Sequence, residues 1–256
     1  SEFGVHKKLG ERYGEMLEGD EFKKEINSPL YFVGERMEKG ISVNPLQFVW
    51  GVGVYLRSHG VKIYEGTQLI SVDGSTAMTS GGVINFNTIV YARGTAEKHI
   101  KLQNFATTLA VTRPLAKEEL KKLRLLDKDM FIDTEMPSFF YAKVTGDNRL
   151  MVGFGDEETD SEYSAVPVYR PHIKSIESFL PRFTGETIPL DYGWTGVFSL
   201  SKHILPHVSL SKHEAVMAGF GTQIASIVVA DHTASMLVKG EHHLKPLFSV
   251  ASMKSI

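Results

Sequence analysis

The sequence element with the clearest chemical potential is Gly219-Phe220-Gly221, a glycine pair between two patterned segments. Residues 215–218 predict a strand, and residues 222–239 predict a helix that ends at Gly240. A helix that begins after such a turn presents unpaired N–H groups and a partial positive charge to an electron-rich ligand. A dinucleotide fingerprint needs a further glycine at position 224, where the chain has Ile224. The turn therefore predicts either a ligand contact or a structural cap, but not a pyrophosphate loop.

A second candidate lies in an aromatic and basic segment in the middle of the chain. Residues 139–144 and 150–154 predict the two strands of a hairpin. Because side chains alternate along a strand, Phe139, Tyr141 and Lys143 share one face. An aromatic wall beside a cation suits an organic anion, whereas the alternative is an ordinary sheet face with solvated ends.

Other site chemistries find little support. The chain has no cysteine, which excludes disulfides, thiolate catalysis, Fe–S clusters and cysteine-based zinc sites. His203 and His207 are four residues apart, but Pro206 between them breaks a helical ligand face. No Gly-x-Ser-x-Gly elbow of a serine hydrolase occurs. No metal site is predicted, and no catalytic residue is identified.

Composition narrows the class of protein. The 256 residues include 28 Lys+Arg and 30 Asp+Glu, so the formal charge of 28 − 30 = −2 argues against a nucleic-acid partner. Hydrophobic residues at 42% and charged residues at 23% are typical of a globular chain. The longest apolar segment, 224–238, contains Asp231 and His232 and predicts no membrane span. The opening Ser1-Glu2-Phe3, with no initiator Met and no secretory segment, is typical of a cloning scar and suggests a cytoplasmic protein fragment.

The elements that must position the candidate residues alternate between helices and strands. Asn44-Pro45 begins a helix over 45–58. Strands are predicted over three short segments with turns between them, and a continuous apolar run then predicts a strand buried on both faces that ends at Arg93-Gly94. These four strand segments are 61–64, 67–72, 76–79 and 88–92.

Further elements complete the pattern. Residues 5–26 predict exposed helices, and residues 107–112 predict a strand followed by a charged helix over 116–126. An amphipathic helix is expected to start at Pro171 and to close at Pro181. Hairpin-linked strands beside strand–turn–helix units predict an α+β fold.

The order of these segments resembles the family of FAD-dependent amine and amino-acid oxidoreductases, the group of D-amino-acid oxidase, glycine oxidase and sarcosine oxidase. The resemblance runs from about residue 20 to 240. In the first part of the chain, Ser42-Val43-Asn44-Pro45-Leu46 together with residues 59–67 match the family pattern "P-L … G-V-x-I-x-E-x-T", and Ala92-Arg93-Gly94-Thr95-Ala96 match "A-T-G-A". In the middle, residues 111–115 match "T-E-P-L" and residues 141–155 match "Y-x-R … G-R-L-x-x-G-G". Towards the end, Trp194-Thr195-Gly196, Leu205-Pro206 and residues 218–221 match "W-x-G … P … G-G-F-G-G-H-G".

The resemblance implies an α+β fold: a mixed, largely antiparallel substrate-domain sheet plus part of an α/β FAD-binding domain whose N-terminal βαβ unit is absent. It implies a substrate domain formed by residues 5–85 and 107–190. It implies FAD-domain segments over 86–106 and 191–240, with a tail over 241–256.

The resemblance also implies roles for individual residues. Tyr141 and Lys143 are expected to bind a substrate carboxylate. The residues expected to contact FAD are Gly94, Gly219, Phe220, Gly221 and Thr222. Three departures from the family pattern stand at these places: Arg93 for Thr, Lys143 for Arg, and Thr222-Gln223-Ile224 for Gly-His-Gly.

Two functions remain open. The parent protein oxidises a small-molecule amine or amino acid by hydride transfer to FAD, or it is a diverged, non-catalytic member that binds a ligand or partner. This chain alone is expected to be inactive and to bind FAD weakly or not at all, because it has no Gly-x-Gly-x-x-Gly motif. The turn at 219–221 is expected to lie beside the carboxyl end of the 88–92 strand, in the same sheet.

Overall fold

The computed structural model describes residues 14–37, 42–94, 100, 102–125, 131–132, 139–161, 165–201 and 205–248. The chain divides into two compact units. The first comprises residues 1–43, 107–156 and 167–196, and the second comprises residues 44–106, 157–166 and 197–256. The assignment of segments to a substrate domain and an FAD domain stays a prediction.

The first unit begins with a two-stranded sheet rather than with helices alone. Strands β1 (Glu15–Glu18) and β2 (Val33–Arg36) pair antiparallel, and helix α1 (Gly19–Glu25) follows β1. The prediction of helices over 5–26 is therefore wrong for residues 15–18, while residues 5–13 lie outside the described part. Pairing with β2 satisfies the backbone of β1 and buries Leu17.

A six-stranded sheet contains the predicted hairpin. Its strands are β7 (Leu102–Pro114), β8 (Phe131–Ile132), β9 (Phe140–Val144), β10 (Arg149–Thr159), β11 (Ala165–Val166) and β12 (Leu190–Ser201), in the order β11-β12-β7-β10-β9-β8. The hairpin is confirmed, since β9 and β10 pair antiparallel from Val144↔Leu150 to Phe140↔Phe154. The turn between them closes with Asn148 at φ 63° and a 2.9 Å bond from its N–H to Thr145 O.

Helices cover one face of this sheet and form the core of the first unit. Helix α3 (Lys117–Leu123) contributes Leu120, and helix α4 (Arg170–Thr184) contributes Ile176, Phe179 and Phe183, all buried. The rings of Phe179 and Phe140 stack with centroids 4.1 Å apart. Because Phe140 and Ala142 face the helices, the alternation of β9 turns Tyr141 and Lys143 to the opposite face.

Helix α4 does not close at Pro181, so that prediction is wrong. The helix continues to Thr184 and ends at Gly185, which has φ 78°. Gly185 N donates to Pro181 O at 2.9 Å, and Thr184 Oγ1 donates to Leu180 O at 2.8 Å. These bonds hold the last turn although proline lacks an N–H of its own.

The second unit begins with helix α2 (Pro45–Ser58), which confirms the predicted helix. Asn44 caps it by accepting a hydrogen bond from Gln47 N at 3.1 Å. Strands β3 (Leu69–Asp73), β4 (Thr76–Thr79) and β5 (Gly82–Asn85) follow as an antiparallel meander through the predicted turns. The predicted strand over 61–64 is absent, because these exposed residues pair with no strand among the described residues.

A three-stranded sheet brings the two candidate glycine turns together. Its order is β13 (His207–Leu210), β14 (Glu214–Ala218) and β6 (Ile89–Gly94). Strand β14 runs parallel to β6 with Ala218 beside Gly94, so the predicted neighbourhood of the two strand ends is confirmed. Helix α5 (Gln223–Lys239) begins directly after the turn, and the short helix α6 (Lys245–Phe248) follows within the predicted tail.

The fold is α+β, as predicted: the β9–β10 and β3–β4 pairs are antiparallel, and the β6–β14 pair is parallel. None of the helices in the described ranges combines the length and apolar character that crossing a membrane requires.

Candidate functional site

The turn between β14 and α5 is shaped by its glycines. Gly219 and Gly221 have φ values of 70° and 64°, a region that strongly favours glycine. A Cβ on Gly221 would lie 2.4 Å from Leu200 Cδ2, and one on Gly219 would lie 2.8 Å from Ser201 N. Leu200 and Ser201 therefore leave no space for a side chain at positions 221 and 219, whether or not a ligand is present.

The N–H groups at this helix start are not all available to a ligand. Gly221 N donates to Ser199 O at 3.2 Å, and Thr222 N donates to Phe220 O at 2.6 Å. The Thr222 hydroxyl caps the helix by accepting from Ala225 N at 3.2 Å. In the first turn of the helix, the N–H groups of Gln223 and Ile224 have no hydrogen bond to a described residue. The N–H groups of Gly221 and Thr222 are thus engaged within the chain, and the contact of Gly219, Phe220, Gly221 and Thr222 with FAD stays a prediction.

The end of β6 differs from the Gly219 turn in its packing. Gly94 has φ 75°, and a Cβ placed there would meet no described atom within 4 Å. The Arg93 guanidinium lies 5.7 Å from the centre of the Tyr91 ring. We use the name strand-end site for Gly94, Gly219, Phe220, Gly221, Thr222, Gln223 and Ile224. Its open positions are Gly94 and the two free donors of α5.

On the six-stranded sheet, Tyr141 packs across a glycine of the neighbouring strand. Gly153 is its direct partner in the register, and a Cβ on Gly153 would lie 2.0 Å from Tyr141 Cζ and 2.4 Å from its hydroxyl. The phenol therefore occupies the space that a side chain at 153 would need. Burial raises the pKa of Tyr141, the Thr107 hydroxyl opposes this rise, and the Asp156 carboxylate adds to it.

Thr107 and Asp156 join Tyr141 in a group that sequence reasoning missed. Burial raises the pKa of the Asp156 carboxyl, and the Thr107 hydroxyl opposes that rise too. Thr107 Oγ1 is nevertheless buried without a hydrogen bond of normal length and angle. Since hydrogen bonds weaken steeply outside those limits, we regard this hydroxyl as unsatisfied.

Lys143 lies on the same sheet face as Tyr141, as predicted, but its charge is already engaged. Its ammonium donates to Ser42 Oγ and to Val43 O, the latter at 3.3 Å. Arg149, the other cation of the hairpin, donates to Thr112 O at 2.8 Å and pairs with Asp147 at 2.8 Å. A substrate carboxylate at Lys143 would therefore compete with two protein acceptors.

A buried polar network supports the same strand from the helix-covered side. His172 Nδ1 lies 3.0 Å from Thr108 Oγ1, which in turn lies 2.8 Å from Thr195 Oγ1. A Cβ on Gly155, which has φ 82°, would lie 2.3 Å from the His172 ring. The network thus fixes the backbone immediately before Asp156. The sequence carries one signal of this contact, the glycine pair in Gly153-Phe154-Gly155, because glycine inside a strand is typical of a close approach or a bulge.

Of the two histidines considered as metal ligands, the structure describes His207, and His213 lies close to it in the sequence. His213 Nδ1 lies 3.0 Å from Asn87 O, and burial lowers the pKa of His207. His203 lies outside the described residues. In the described ranges, no three metal-binding side chains come together.

Comparison with known proteins identifies the family. Residues 2–236 match the model of the family described as DAO, FAD dependent oxidoreductase. The match includes most of the chain, so the chain belongs to this family. FAD is the cofactor in the family's description.

Individual relatives are distant and longer. The chain is 24% identical over 251 residues to gamma-glutamylputrescine oxidoreductase of Escherichia coli (strain K12), a match that covers 90% of the chain and 57% of that protein. The chain thus spans less than two thirds of this relative.

Solved structures share the fold. L-proline dehydrogenase from P. horikoshii has a TM-score of 0.77 at 15% identity, and the match covers 94% of the present chain and 68% of the dehydrogenase chain. Glycine oxidase from Geobacillus kaustophilus has a TM-score of 0.77 at 16% identity, and the match covers 96% of the present chain and 68% of the oxidase chain.

Proposed function

We propose that this member of the FAD-dependent oxidoreductase family forms part of an enzyme that oxidises a small-molecule amine or amino acid at its CH–NH bond. The observation that supports this most directly is the parallel pairing of β6 and β14. It brings Gly94 beside the Gly219 turn, although about 125 residues separate them in the chain. Ligands of open α/β sheets collect at such carboxyl strand ends.

The residues of the strand-end site suit FAD. The free N–H groups of Gln223 and Ile224 and the partial charge of the α5 N-terminus match an electron-rich edge of the flavin ring. Gly94 leaves its Cβ position open for a close approach. When bound, FAD supplies the hydride acceptor, while the chain's own groups hold and orient the reacting molecules.

Two kinds of observation support the proposed substrate class: the names of the relatives and the side chains of one sheet face. The relatives' names refer to an amino acid or an amine derivative, namely glycine, proline and gamma-glutamylputrescine. Within the chain, Tyr141 and Lys143 face one side of the sheet, opposite the helix-covered core. We propose that this face binds the substrate, with Lys143 reaching a carboxylate when it exchanges Ser42 and Val43 for the ligand.

We further propose that the 256-residue chain alone is inactive and binds FAD weakly. The sequence has no Gly-x-Gly-x-x-Gly motif to hold a pyrophosphate. The second unit also exposes large apolar side chains: helix α2 buries none of its residues, and Trp50, Ile224 and Val238 are 64%, 75% and 82% exposed. Such surfaces are typical of faces that pack against further protein.

The alternative is a diverged member that keeps the fold and binds a ligand without turnover. Two observations favour it. Ile224 places a bulky, exposed side chain at the helix start, and the Lys143 ammonium is occupied by protein acceptors.

Flavin spectroscopy on the full-length protein separates the two functions. Purified protein is scanned for a flavin absorption band and then mixed anaerobically with glycine, proline and primary amines. The enzyme proposal predicts a bound flavin that bleaches with at least one of these compounds. A protein without flavin, or with a flavin that none of them reduces, would support the non-catalytic alternative.

A further inference from the structure

We infer that residues 242–248, called the clasp below, form an acid-sensitive device that is closed on helix α5 at neutral pH and is released when the His232–His242 pair takes up a proton. The contact between these two rings carries the inference. The opening of the clasp is independent of the proposed function, whereas its effect on a bound flavin rests on that function.

The two histidine rings are in direct contact. His232 Nδ1 lies 3.2 Å from His242 Nδ1, and the ring centroids are 5.0 Å apart. His232, on α5, is 2% exposed, and the side chain of His242 is 8% exposed. Because little water reaches these nitrogens, the hydrogen bond between the two rings stabilises the closed clasp.

The other partners of His242 decide which of its nitrogens carries a hydrogen. Its Nε2 lies 3.2 Å from Asp231 Oδ2, and because a carboxylate only accepts, Nε2 carries the hydrogen. Leu244 N donates to Nδ1 at 3.2 Å, so Nδ1 is an acceptor. The hydrogen between the two rings therefore belongs to His232, and His242 Nδ1 is the acceptor that joins α5 to the clasp.

A further proton on this pair is unfavourable. On His242 Nδ1 it would turn the shared acceptor into a donor that faces the N–H groups of His232 and Leu244. On His232 it would place a positive charge in a buried site. Burial and then His242 lower the pKa of His232; Asp231 opposes this effect, and His243 adds to it.

The elements packed against α5 supply no counter-charge for such a proton. Strands β13 and β14 and helix α6 each contact the same apolar cluster as α5. Their titratable residues, together with the one that precedes the clasp, are His207, Glu214, Lys245 and Glu241. None of these four acts on the pKa of His232, so Asp231 is the one carboxylate of the described residues that does.

Acid therefore opens the clasp. A released histidine has the ordinary pKa of about 6.5, so the open form binds a proton more readily than the closed form. Because the pKa of His232 is lowered in the closed form, the closed form is favoured above about pH 6.5 and is lost as the pH falls below that value.

The clasp completes an apolar cluster that reaches the strand-end site. Phe248 of α6 is buried together with Val208 of β13 and Val229 of α5, and Leu244 packs against this cluster. Phe220 of the strand-end site packs against the same cluster. Release of the clasp would remove packing next to Phe220, and we therefore expect a flavin bound there to dissociate faster.

Amide hydrogen exchange of the full-length protein measures the opening without reference to flavin. Exchange of residues 243–248 is followed by mass spectrometry at pH 8 and pH 5 and is divided by the intrinsic rate at each pH. One histidine with a pKa of about 6.5 in the open form permits a rise of at most about thirtyfold in the open fraction. We expect a rise of at least about threefold in the clasp and none in the β9–β10 hairpin, which contains no histidine.

His242→Asn tests the shared acceptor, because an asparagine oxygen accepts a hydrogen bond without titrating. Its clasp should be as protected at pH 5 as at pH 8. His243→Asn is the matched control, since His243 is the exposed histidine at the next position. This control should keep the pH-dependent opening. Equal exchange at both pH values in the unmodified protein would overturn the inference, and so would equal pH dependence in the two variants.

A second measurement covers the case in which His242→Asn lacks protection even at pH 8. Slow exchange of the ring C2 hydrogens, also followed by mass spectrometry, gives the titration of each histidine in the unmodified protein. Opening that follows the titration of His232 or His242 would support the inference. Opening that follows neither ring would overturn it.

The effect on flavin is read separately from the rate of FAD release, which is measured by flavin fluorescence at both pH values. Faster release at pH 5 that His242→Asn abolishes would support the link to Phe220. An acid-sensitive clasp with unchanged FAD release would keep the clasp and reject this link. An acid-sensitive clasp in a full-length protein that contains no flavin would keep the clasp and reject the proposed function.

Discussion

The contact between Tyr141 and Gly153 can be tested by replacing Gly153 with alanine. A Cβ at this position would lie 2.0, 2.2 and 2.4 Å from three atoms of the Tyr141 phenol. Such distances are far below van der Waals contact, so the ring must leave its place or the strands must separate. Gly153 has no left-handed backbone, so the added methyl meets the ring without a conformational penalty of its own.

The expected magnitude is a balance of two effects. Overpacking of a well-packed site destabilises by about 1–3 kcal/mol. Alanine restricts the unfolded chain more than glycine does, which stabilises the folded state by about 0.4–1 kcal/mol. We therefore expect Gly153→Ala to lower the free energy of unfolding by about 1–2 kcal/mol.

Urea unfolding measures this change, and a double-mutant cycle assigns its cause. If the Tyr141 ring is the obstacle, Gly153→Ala should cost almost nothing in a Tyr141→Ala background, with a coupling energy of about 1 kcal/mol or more. Gly146→Ala is the control in the same hairpin, since a Cβ there meets nothing within 4 Å. Additive effects of the two substitutions, or an equal cost for Gly146→Ala, would refute the reasoning.

Three further predictions concern Glu119, the strand-end site and the retention of FAD. The ion pair with Arg113 and a hydrogen bond from Ala116 N lower the pKa of Glu119 from 4.5 to about 2. Ionised Glu119 therefore stabilises the folded chain above about pH 4.5, and this stabilisation is lost as the pH falls towards 2. Urea unfolding should therefore show Glu119→Gln less stable than the parent by under about 1 kcal/mol at pH 7 and equal to it near pH 2. Gly221→Val in full-length protein should lower both stability and flavin occupancy, measured by the ratio of flavin to protein absorbance. Gly94→Ala should lower occupancy as well, with a stability loss of about 1 kcal/mol because Gly94 has φ 75° although its Cβ position is open. Unchanged occupancy in both variants would remove the strand-end site from flavin binding. The 256-residue chain should retain little FAD in equilibrium dialysis, and stoichiometric retention would contradict that expectation.

Local elements could be predicted because their causes lie within a few residues of one another. Asn44 and Pro45 define the start of α2, and alternation around a polar turn defines the β9–β10 hairpin. The predictions failed where distant residues decide the outcome. Residues 15–18 form a strand because residues 33–36 pair with them, and residues 61–64 form none because no described strand pairs with them.

The sequence by itself determined the start of α2, the β9–β10 hairpin, the family resemblance and the shared face of Tyr141 and Lys143. Only the tertiary structure decided which of their polar groups are available. Lys143 donates to Ser42, about a hundred residues away, and Tyr141 meets Thr107 from another strand. Side-chain alternation depends on the local backbone alone, whereas hydrogen bonding and burial depend on which distant atoms come within about 3 Å. Strand register and helix packing set those distances.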